Sequence, residues 1–544
     1  MTMRRIAALL ALALVPLAVL GVFFVLPVTG MIGRGLMPHG ELDLGAVRDV
    51  LTRERTGRVL WFTLWSALAG TVVSLVLGLP VAYALHRLDF PGRSLLRALM
   101  LVPFVMPTLV VGVAFRELTQ GPLAFLGLEG SPIVIIAGLA FFNIAVVIRA
   151  VGAAWESLDP RPGEAAAALG ASPSRVWWTV TLPALRPAIV SAASVVFLFC
   201  ATAFGIVLVL GGLKYATVET EIYLLTTTLF DLRAAAVLSL LQLTVVLVLL
   251  ALAQAARATP DATVARVVPR PHRPRLSDAP VLAATALVLV LVGLPIVTLV
   301  SGSFQYDGSW GLGNYRALTS TGDDARLLVP ATEALLNSLR TAVDATWMSV
   351  GLGLLVAALV TRRSLTSTER RLRGVFDGVF MLPLGVSAVT VGFGLLITLD
   401  SPPLDLRDSP LLVPIAQALV ALPLVVRTLV PVLAGIDDRQ RQAAASLGAG
   451  SVRTLLTVDL PVVWKPLLAA AGFAFAVSLG EFGATAFLAR SEAPTLPVVI
   501  YDLLSHPGEH NYGVALAASC VLAAATACVV LLVERLRVPS VGAF

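Results

Sequence analysis

Glu164-Ala-Ala-Ala-Ala-Leu-Gly170-Ala-Ser-Pro-Ser-Arg-Val-Trp-Trp-Thr-Val-Thr-Leu-Pro183 returns further along the chain as Gln442-Ala-Ala-Ala-Ser-Leu-Gly448-Ala-Gly-Ser-Val-Arg-Thr-Leu-Leu-Thr-Val-Asp-Leu-Pro461. The two copies are offset by 278 residues. The same offset pairs Arg149 with Arg427, Phe204-Gly205 with Phe482-Gly483, Thr217 with Thr495 and Tyr223 with Tyr501. Upstream it becomes 280, pairing Pro103 with Pro383 and Gly112 with Gly392. A constant offset over many matches means that one unit has been duplicated. Within each copy the Ala-rich stretch favours helix. Gly170 and Gly448 can end that helix with a positive φ, and Ser172 before Pro173 is a cap and first-turn pair that starts another. The pattern predicts two short helices with a tight bend, too polar to span a membrane. Their small Ala side chains let another backbone approach, which suits a docking surface.

The rest of the chain is membrane-like. Of its 544 residues, 58% are hydrophobic and only 13% are charged, against about 25% charged in an average soluble protein. That excludes a soluble enzyme, a disordered chain and a fibre. A spanning helix needs about 20 mostly apolar residues, and twelve runs qualify. They are 6–28, 59–85, 98–116, 132–151, 188–211 and 233–256, then 279–301, 334–361, 374–399, 411–434, 467–489 and 512–534. Pro80, Pro103, Pro107, Pro383 and Pro423 do not veto helices there, because neighbouring helices can satisfy the freed backbone groups. Run 6–28 has a basic start (Arg4, Arg5) but is too long for a signal core and lacks a following A-x-A site, so it reads as an uncleaved span. The expected fold is an all-α polytopic membrane protein of about 12 transmembrane helices in two parallel six-helix repeats. The first repeat is 1–256 and the second 279–544; between them, 257–278 is a Pro/Arg-rich cytoplasmic linker without its own fold.

Loop charges orient the spans. With the N-terminus inside, Arg87, Arg93 and Arg97, then Arg266, Arg270, Arg273 and Arg275, then Arg362, Arg363, Arg370, Arg371 and Arg373 fall in cytoplasmic segments. The outer loops are acidic, with Glu219, Glu221 and Asp231, Asp323 and Asp324, and Asp400, Asp405 and Asp408. Both termini are therefore expected in the cytoplasm. The formal charge of +6 reports orientation rather than nucleic acid.

The duplicated stretch resembles the EAA loop of ABC-importer permeases, in outline EAA-x3-G-x9-hydrophobic-x-LP. Both copies keep its spacing, each between the fourth and fifth span of a repeat; Gln442 replaces the Glu in the second. The resemblance implies a type I importer permease whose loops dock on ATPase subunits, here through Glu164, Ala165, Ala166, Gly170 and Pro183, and Gln442, Ala443, Ala444, Gly448 and Pro461. It implies two copies of an ATPase subunit, an extracytoplasmic substrate-binding protein and the bacterial inner membrane as partners. ATP would be bound by the ATPase subunit, with no cofactor in this chain. Leu210-Gly-Gly212, Thr217-Val-Glu-Thr-Glu-Ile-Tyr223, Ala234-Ala-Ala-Val-Leu-Ser-Leu-Leu-Gln-Leu243, Ser478-Leu-Gly-Glu-Phe-Gly-Ala-Thr485 and Thr495-Leu-Pro-Val-Val-Ile-Tyr501 resemble fused ferric-iron and thiamine permeases. A small substrate of either kind is implied.

The chain has no G-x-x-x-x-G-K-[ST], since neither Lys214 nor Lys465 follows a glycine, so it cannot cradle ATP in a P-loop. Cys200, Cys520 and Cys528 sit in apolar runs without metal-ligand spacing, and His506 and His510 are separated by Pro507 and Gly508, so no metal site is expected. Glu481 is expected about fourteen residues into the eleventh run, near the midplane, where a carboxylate marks a solute path or a packing hydrogen bond. Its repeat partner is Ala203. Arg340 and Asp344 read as an intrahelical pair, and Trp155, Trp177 and Trp178 as interfacial anchors. The competing class is a 12-span secondary transporter, although His86-Arg-Leu-Asp-Phe-Pro-Gly-Arg-Ser-Leu-Leu-Arg97 does not match the usual loop signature of that class. A membrane enzyme would need an intramembrane catalytic pair, and none is evident.

Overall fold

The computed structural model describes residues 10, 13–37, 40–212, 214–255, 271–321, 329–361, 366–382, 386–400 and 404–536. Arg4 and Arg5, His39, linker residues 257–270 with Arg266 and Arg270, Asp323 and Asp324, Arg362 and Arg363, and Pro383 lie outside the described residues. Among those described, ten helices are long and apolar enough to cross a membrane. They are Ala13–Leu36, Glu54–Arg87, Pro132–Glu156, Pro173–Ala201, Leu232–Leu249, Leu276–Ser303, Ala331–Thr361, Leu412–Ala434, Val452–Leu479 and Glu509–Val533. The protein is an all-α polytopic membrane protein; its only strands among the described residues are the two-residue hairpin Gln305–Tyr306 and Ser309–Trp310.

Four runs expected as single helices are interrupted. The third span is the pair Arg93–Val105 and Thr108–Gln120, bent by 100°. The cause is local: Met106, placed before Pro107, takes an extended ψ of 133°, the region that a following proline enforces. The fifth span ends at Ala201, and the short helix Gly205–Gly211 follows. The eleventh ends at Leu479 and resumes as Thr485–Leu488. The ninth run falls on Ser367–Met381 and Ala388–Thr398. Open backbone survives at membrane depth only inside protein, and Ala203, Phe204, Glu481, Phe482 and Ala484 are all buried.

The chain forms two compact units, and each mixes the sequence halves. One comprises residues 1–53, 221–244 and 303–542. Here the first span joins the second repeat: Leu20 and Phe24 pack with Val356, Phe376, Phe380, Leu422 and Val426. Gly30 permits the crossing, since Thr398 Cγ2 stands where a Cβ would be; Arg34 Nη2 donates to the Ile397 carbonyl (3.0 Å). A second cluster joins Ala357, Val425, Leu429, Val463, Ala470 and Ala474 from the eighth, tenth and eleventh spans.

The other unit comprises 54–220 and 245–302. Small residues bring its helices together, as is usual between membrane helices. A Cβ on Gly78 would lie 2.8 Å from Val147, and one on Gly70 3.1 Å from Cys200 Sγ. The end of the linker is structured here. His272 pairs with Leu88 as an isolated bridge, and Tyr83 donates to buried Asp278 (3.1 Å), which also accepts from the Arg275 N–H (2.9 Å).

Some expected placements change. Glu219 and Glu221 are buried on the helix Val218–Thr227 rather than solvated in a loop. Asp344 accepts from the Trp347 indole (3.2 Å) instead of pairing with Arg340. Trp155 is buried, stacked on Trp177 (5.5 Å) and edge-on to Tyr83 (5.3 Å), so it is packing rather than an interfacial anchor.

Candidate functional site

The two duplicated loops fold alike. In the first, the helix Arg161–Ala168 ends at Gly170, whose φ is +85°. In the second, Asp438–Ser446 ends at Gly448 with φ +81°. Gly170 donates to the Ala167 carbonyl (2.9 Å) and Ala171 to that of Ala166 (3.0 Å). Gly448 and Ala449 repeat this with Ala445 (3.0 Å) and Ala444 (3.0 Å). This reciprocal pair satisfies carbonyls that a helix end leaves open. A second short helix follows, Pro173–Val176 or Ser451–Thr454. Ser172 Oγ accepts from the Arg175 N–H (3.4 Å), as a cap should. A widened π turn, Trp177–Thr181 or Leu455–Asp459, then leads into the next span at Leu182-Pro183 or Leu460-Pro461.

Exposure follows the same duplication. Residues 163–172 and 441–450 alternate between exposed and half-buried in one identical pattern. Glu164, Ala165, Gly170 and Pro183 are exposed and Ala166 half-buried; Gln442, Ala443, Gly448, Pro461 and Ala444 match them. The structure adds two residues that motif reasoning passed over. Leu169 and Leu447, just before the glycines, are 90% and 87% exposed. Their sequence signal was available: a leucine at the same step of both copies, where solvent alone gives no reason for one.

The supports of the loops differ. In the second, Arg441 Nε donates to Asp459 (2.8 Å), Nη1 to Asp438 (3.2 Å) and Nη2 to the Leu433 carbonyl (2.9 Å). The first loop has Gly163 and Thr181 where the second has Arg441 and Asp459, and beside it lies the Trp155–Trp177 stack. Nearby, Glu156 accepts from His86 Nδ1 and Arg97 Nη2, both at 2.8 Å.

The two broken spans also correspond. A Cβ on Gly205 would lie 2.8 Å from the Leu109 nitrogen, and one on Gly483 3.3 Å from that of Val389. Leu109 and Val389 are themselves equivalent, at the 280 offset. Each break is therefore pressed against the start of the helix Thr108–Gln120 or Ala388–Thr398; a Cβ would force a shift at Gly205 and be tight at Gly483.

Glu481 lies in the second break, beyond the end of the helix in which it was expected. Its Oε1 accepts from the Ala484 N–H (2.7 Å) and its Oε2 from the Thr485 N–H (3.1 Å) and hydroxyl. Gln417 Nε2 donates to Thr485 Oγ1 (3.4 Å). Among the described residues, Gln417 Oε1 and Ser478 Oγ are buried without a hydrogen-bond partner. The carboxylate thus supplies acceptors to amides that the interrupted helix leaves open. The first break has Ala203 instead, and at Ser478's position it has Cys200, which accepts from Asn143 Nδ2 (3.3 Å). Sequence reasoning found Glu481 but passed over Thr485, four residues on and so within reach even on a continuous helix, and Gln417, which only the fold brings near.

Known proteins place this arrangement. Residues 74–262 and 349–537 each match the family described as the binding-protein-dependent transport system inner membrane component. The thiamine transport system permease protein ThiP of Brucella abortus (strain 2308) is 30% identical over 472 residues, 84% of this chain and 83% of the relative. That of Escherichia coli (strain K12) is 29% identical, covering 82% and 83%. A probable ABC transporter permease protein of Sinorhizobium fredii is 26% identical over 98% of this chain and 97% of its own length. With two family domains spanning most of its length, in line with its duplicated loops and apolar helices, the chain belongs to the inner-membrane permease components of binding-protein-dependent ABC importers.

Proposed function

We propose that the chain is the fused permease of a thiamine importer. An extracytoplasmic binding protein delivers the solute, and two copies of an ATPase subunit drive it, one on each duplicated loop. The docking residues are Glu164, Ala165, Ala166, Gly170 and Pro183 in the first loop, with Gln442, Ala443, Ala444, Gly448 and Pro461 in the second; Leu169 and Leu447 join them. The observation that carries this reading is the duplication of one exposed helix–bend–helix in both repeats. Two equal surfaces fit two equal partners. Thiamine is favoured over ferric iron by the names of the relatives, which align with more than four-fifths of the chain. Within it, 1–256 and 279–544 act as the repeats and 257–278 as their linker, with both termini in the cytoplasm. Membership of the family sets aside a secondary transporter.

Glu481 is the proposed pathway residue. Thiamine carries a permanent thiazolium cation, and a carboxylate held inside the membrane domain is a Coulomb partner for it. The test is reconstitution of the chain in vesicles with the ATPase and binding protein. Thiamine uptake should need ATP and both partners, and the chain alone should not hydrolyse ATP. ATPase activity of the isolated chain, or uptake without the partners, overturns the reading. Selective uptake of ferric iron revises the substrate alone.

A further inference from the structure

The anchoring of the second loop carries an inference beyond docking. Arg441 sits on the proposed docking helix Asp438–Ser446, and its guanidinium reaches both neighbouring spans. One contact is the Leu433 carbonyl at the end of Leu412–Ala434; another is Asp459, the residue that opens Leu460–Leu479. The third, Asp438, lies on the docking helix itself. Asp459 is 1% exposed and the Arg441 side chain 10%. The planar fork suits a bridge that must meet several acceptors at once.

We propose that Arg441 is a positioning residue that transmits movement of the second docking helix to the tenth and eleventh spans. A rigid bridge from one short helix to the ends of two long ones makes the three move together. A helix joined to them only through its connecting backbone could tilt alone. The first loop cannot form this bridge, because Gly163 has no side chain to make it. The two loops are therefore coupled to the membrane by different chemistry, and the second coupling is separable from docking: Arg441 is half-buried behind the exposed surface of Gln442, Ala443 and Leu447. This inference rests on the loop being an ATPase-docking surface.

The experiment uses the full transporter in vesicles and reads ATP hydrolysed per thiamine imported, together with capture of the ATPase subunit. Wild-type capture is the control: if it fails, the docking reading falls, whatever Arg441 does. With capture intact, Arg441→Gln should keep the ATPase subunit bound but raise the ATP spent per thiamine by about tenfold. Arg441→Lys, which can still pair with Asp459 but lacks the fork, should recover part of the loss. Because removing one member of a buried ion pair is itself destabilising, the decisive variant is Arg441→Met with Asp459→Leu, which removes both charges. It should restore folded yield and stay uncoupled. If that double variant regains wild-type coupling along with its stability, or if Arg441→Gln lowers uptake and ATP hydrolysis in equal proportion, the bridge is structural and the proposal is overturned.

Discussion

Replacing Glu481 should damage the second break in a graded way that the hydrogen bonds dictate. Its two oxygens hold the amides of Ala484 and Thr485 at 2.7 and 3.1 Å, and the Thr485 hydroxyl as well. Glu481→Leu strands both amides in a buried site. At about 1–3 kcal/mol per stranded group, that is a loss of roughly 2–6 kcal/mol, the hydroxyl being free to turn to another acceptor. Glu481→Gln is intermediate. Its one oxygen can serve one amide, but its NH2 then faces the other donor, so about 1–3 kcal/mol is lost. Gln is therefore not a silent replacement here. If the carboxylate also meets the substrate cation, transport loses a further contribution. Two charges 4 Å apart interact by about 4 kcal/mol at an effective dielectric near 20, before desolvation is subtracted. Thermal unfolding of the purified variants in detergent measures the first effect; thiamine uptake, scaled to folded protein, measures the second. Thr485→Val keeps the charge and both amide bonds, so its uptake should exceed that of the Gln variant. A Leu variant that unfolds at the wild-type temperature refutes the capping argument. A Gln variant with wild-type uptake per folded molecule removes Glu481 from the pathway and leaves it a structural cap.

Other outcomes follow from the same geometry. A Cβ at Gly170 or Gly448 meets no atom within 4 Å, so in Gly170→Val and Gly448→Val the positive φ is the main penalty, about 1–3 kcal/mol; uptake and ATPase-subunit capture should fall while the protein stays in the membrane. Glu164→Gln should cost less uptake than either glycine change, since Gln442 already occupies the equivalent position. Leu169→Asp or Leu447→Asp should leave unfolding temperatures unchanged, because both side chains are solvent-exposed, yet weaken capture of the ATPase subunit in a pull-down. At the turn before the sixth span, burial raises the Asp231 pKa, but the Ala234 N–H and the Arg53 and Arg233 charges outweigh it and hold it below the usual value. Its ion pair with Arg53 (2.9 Å) therefore stabilises the turn above about pH 4 and is lost as pH falls through the lowered pKa. Protection of the amides at residues 229–236, taken as exchange relative to the intrinsic rate at each pH, should fall in acid, and Asp231→Asn should abolish that loss of protection.

Much of this was legible because duplication leaves a direct trace. Gly170 and Gly448 announce their bends through the residue type itself, since a positive φ wants glycine, and the Leu-Pro steps mark where each following span begins. The breaks were hidden for a physical reason. Hydropathy reports whether a segment prefers lipid or protein to water, and residues 188–211 and 467–489 do throughout. Whether the backbone stays helical depends on what buries it. The apolar surroundings of Gly205 and Gly483 come from residues near 108 and 388, far away in sequence. Arg441 was hidden differently. In the sequence it is one more basic residue beside a loop, and only the fold sets it against Leu433, Asp438 and Asp459 at once.

The comparison between copies also separates what duplication retains from what it releases. Backbone features recur: both positive-φ glycines, both paired carbonyl bonds, and both breaks against a helix start. Two further pairs repeat. Thr63 and Ser338 each accept the backbone N–H of Val218 or Leu496 (3.0 and 2.7 Å). Arg97 and Arg373 each donate to the last-turn carbonyl of the preceding span, at Leu85 or Leu359. Such contacts satisfy groups that any sequence folding this way must satisfy, so both copies keep them. Glu481, Gln417 and Arg441 have Ala203, Leu139 and Gly163 at the equivalent positions, so the contacts they make are particular to the second copy. The first break and the first loop fold without them. A buried carboxylate and a buried ion pair are expensive to place, and the first copy carries neither at these positions. That asymmetry is why these two positions, rather than the shared glycines, are where substrate and coupling roles specific to this permease should be sought.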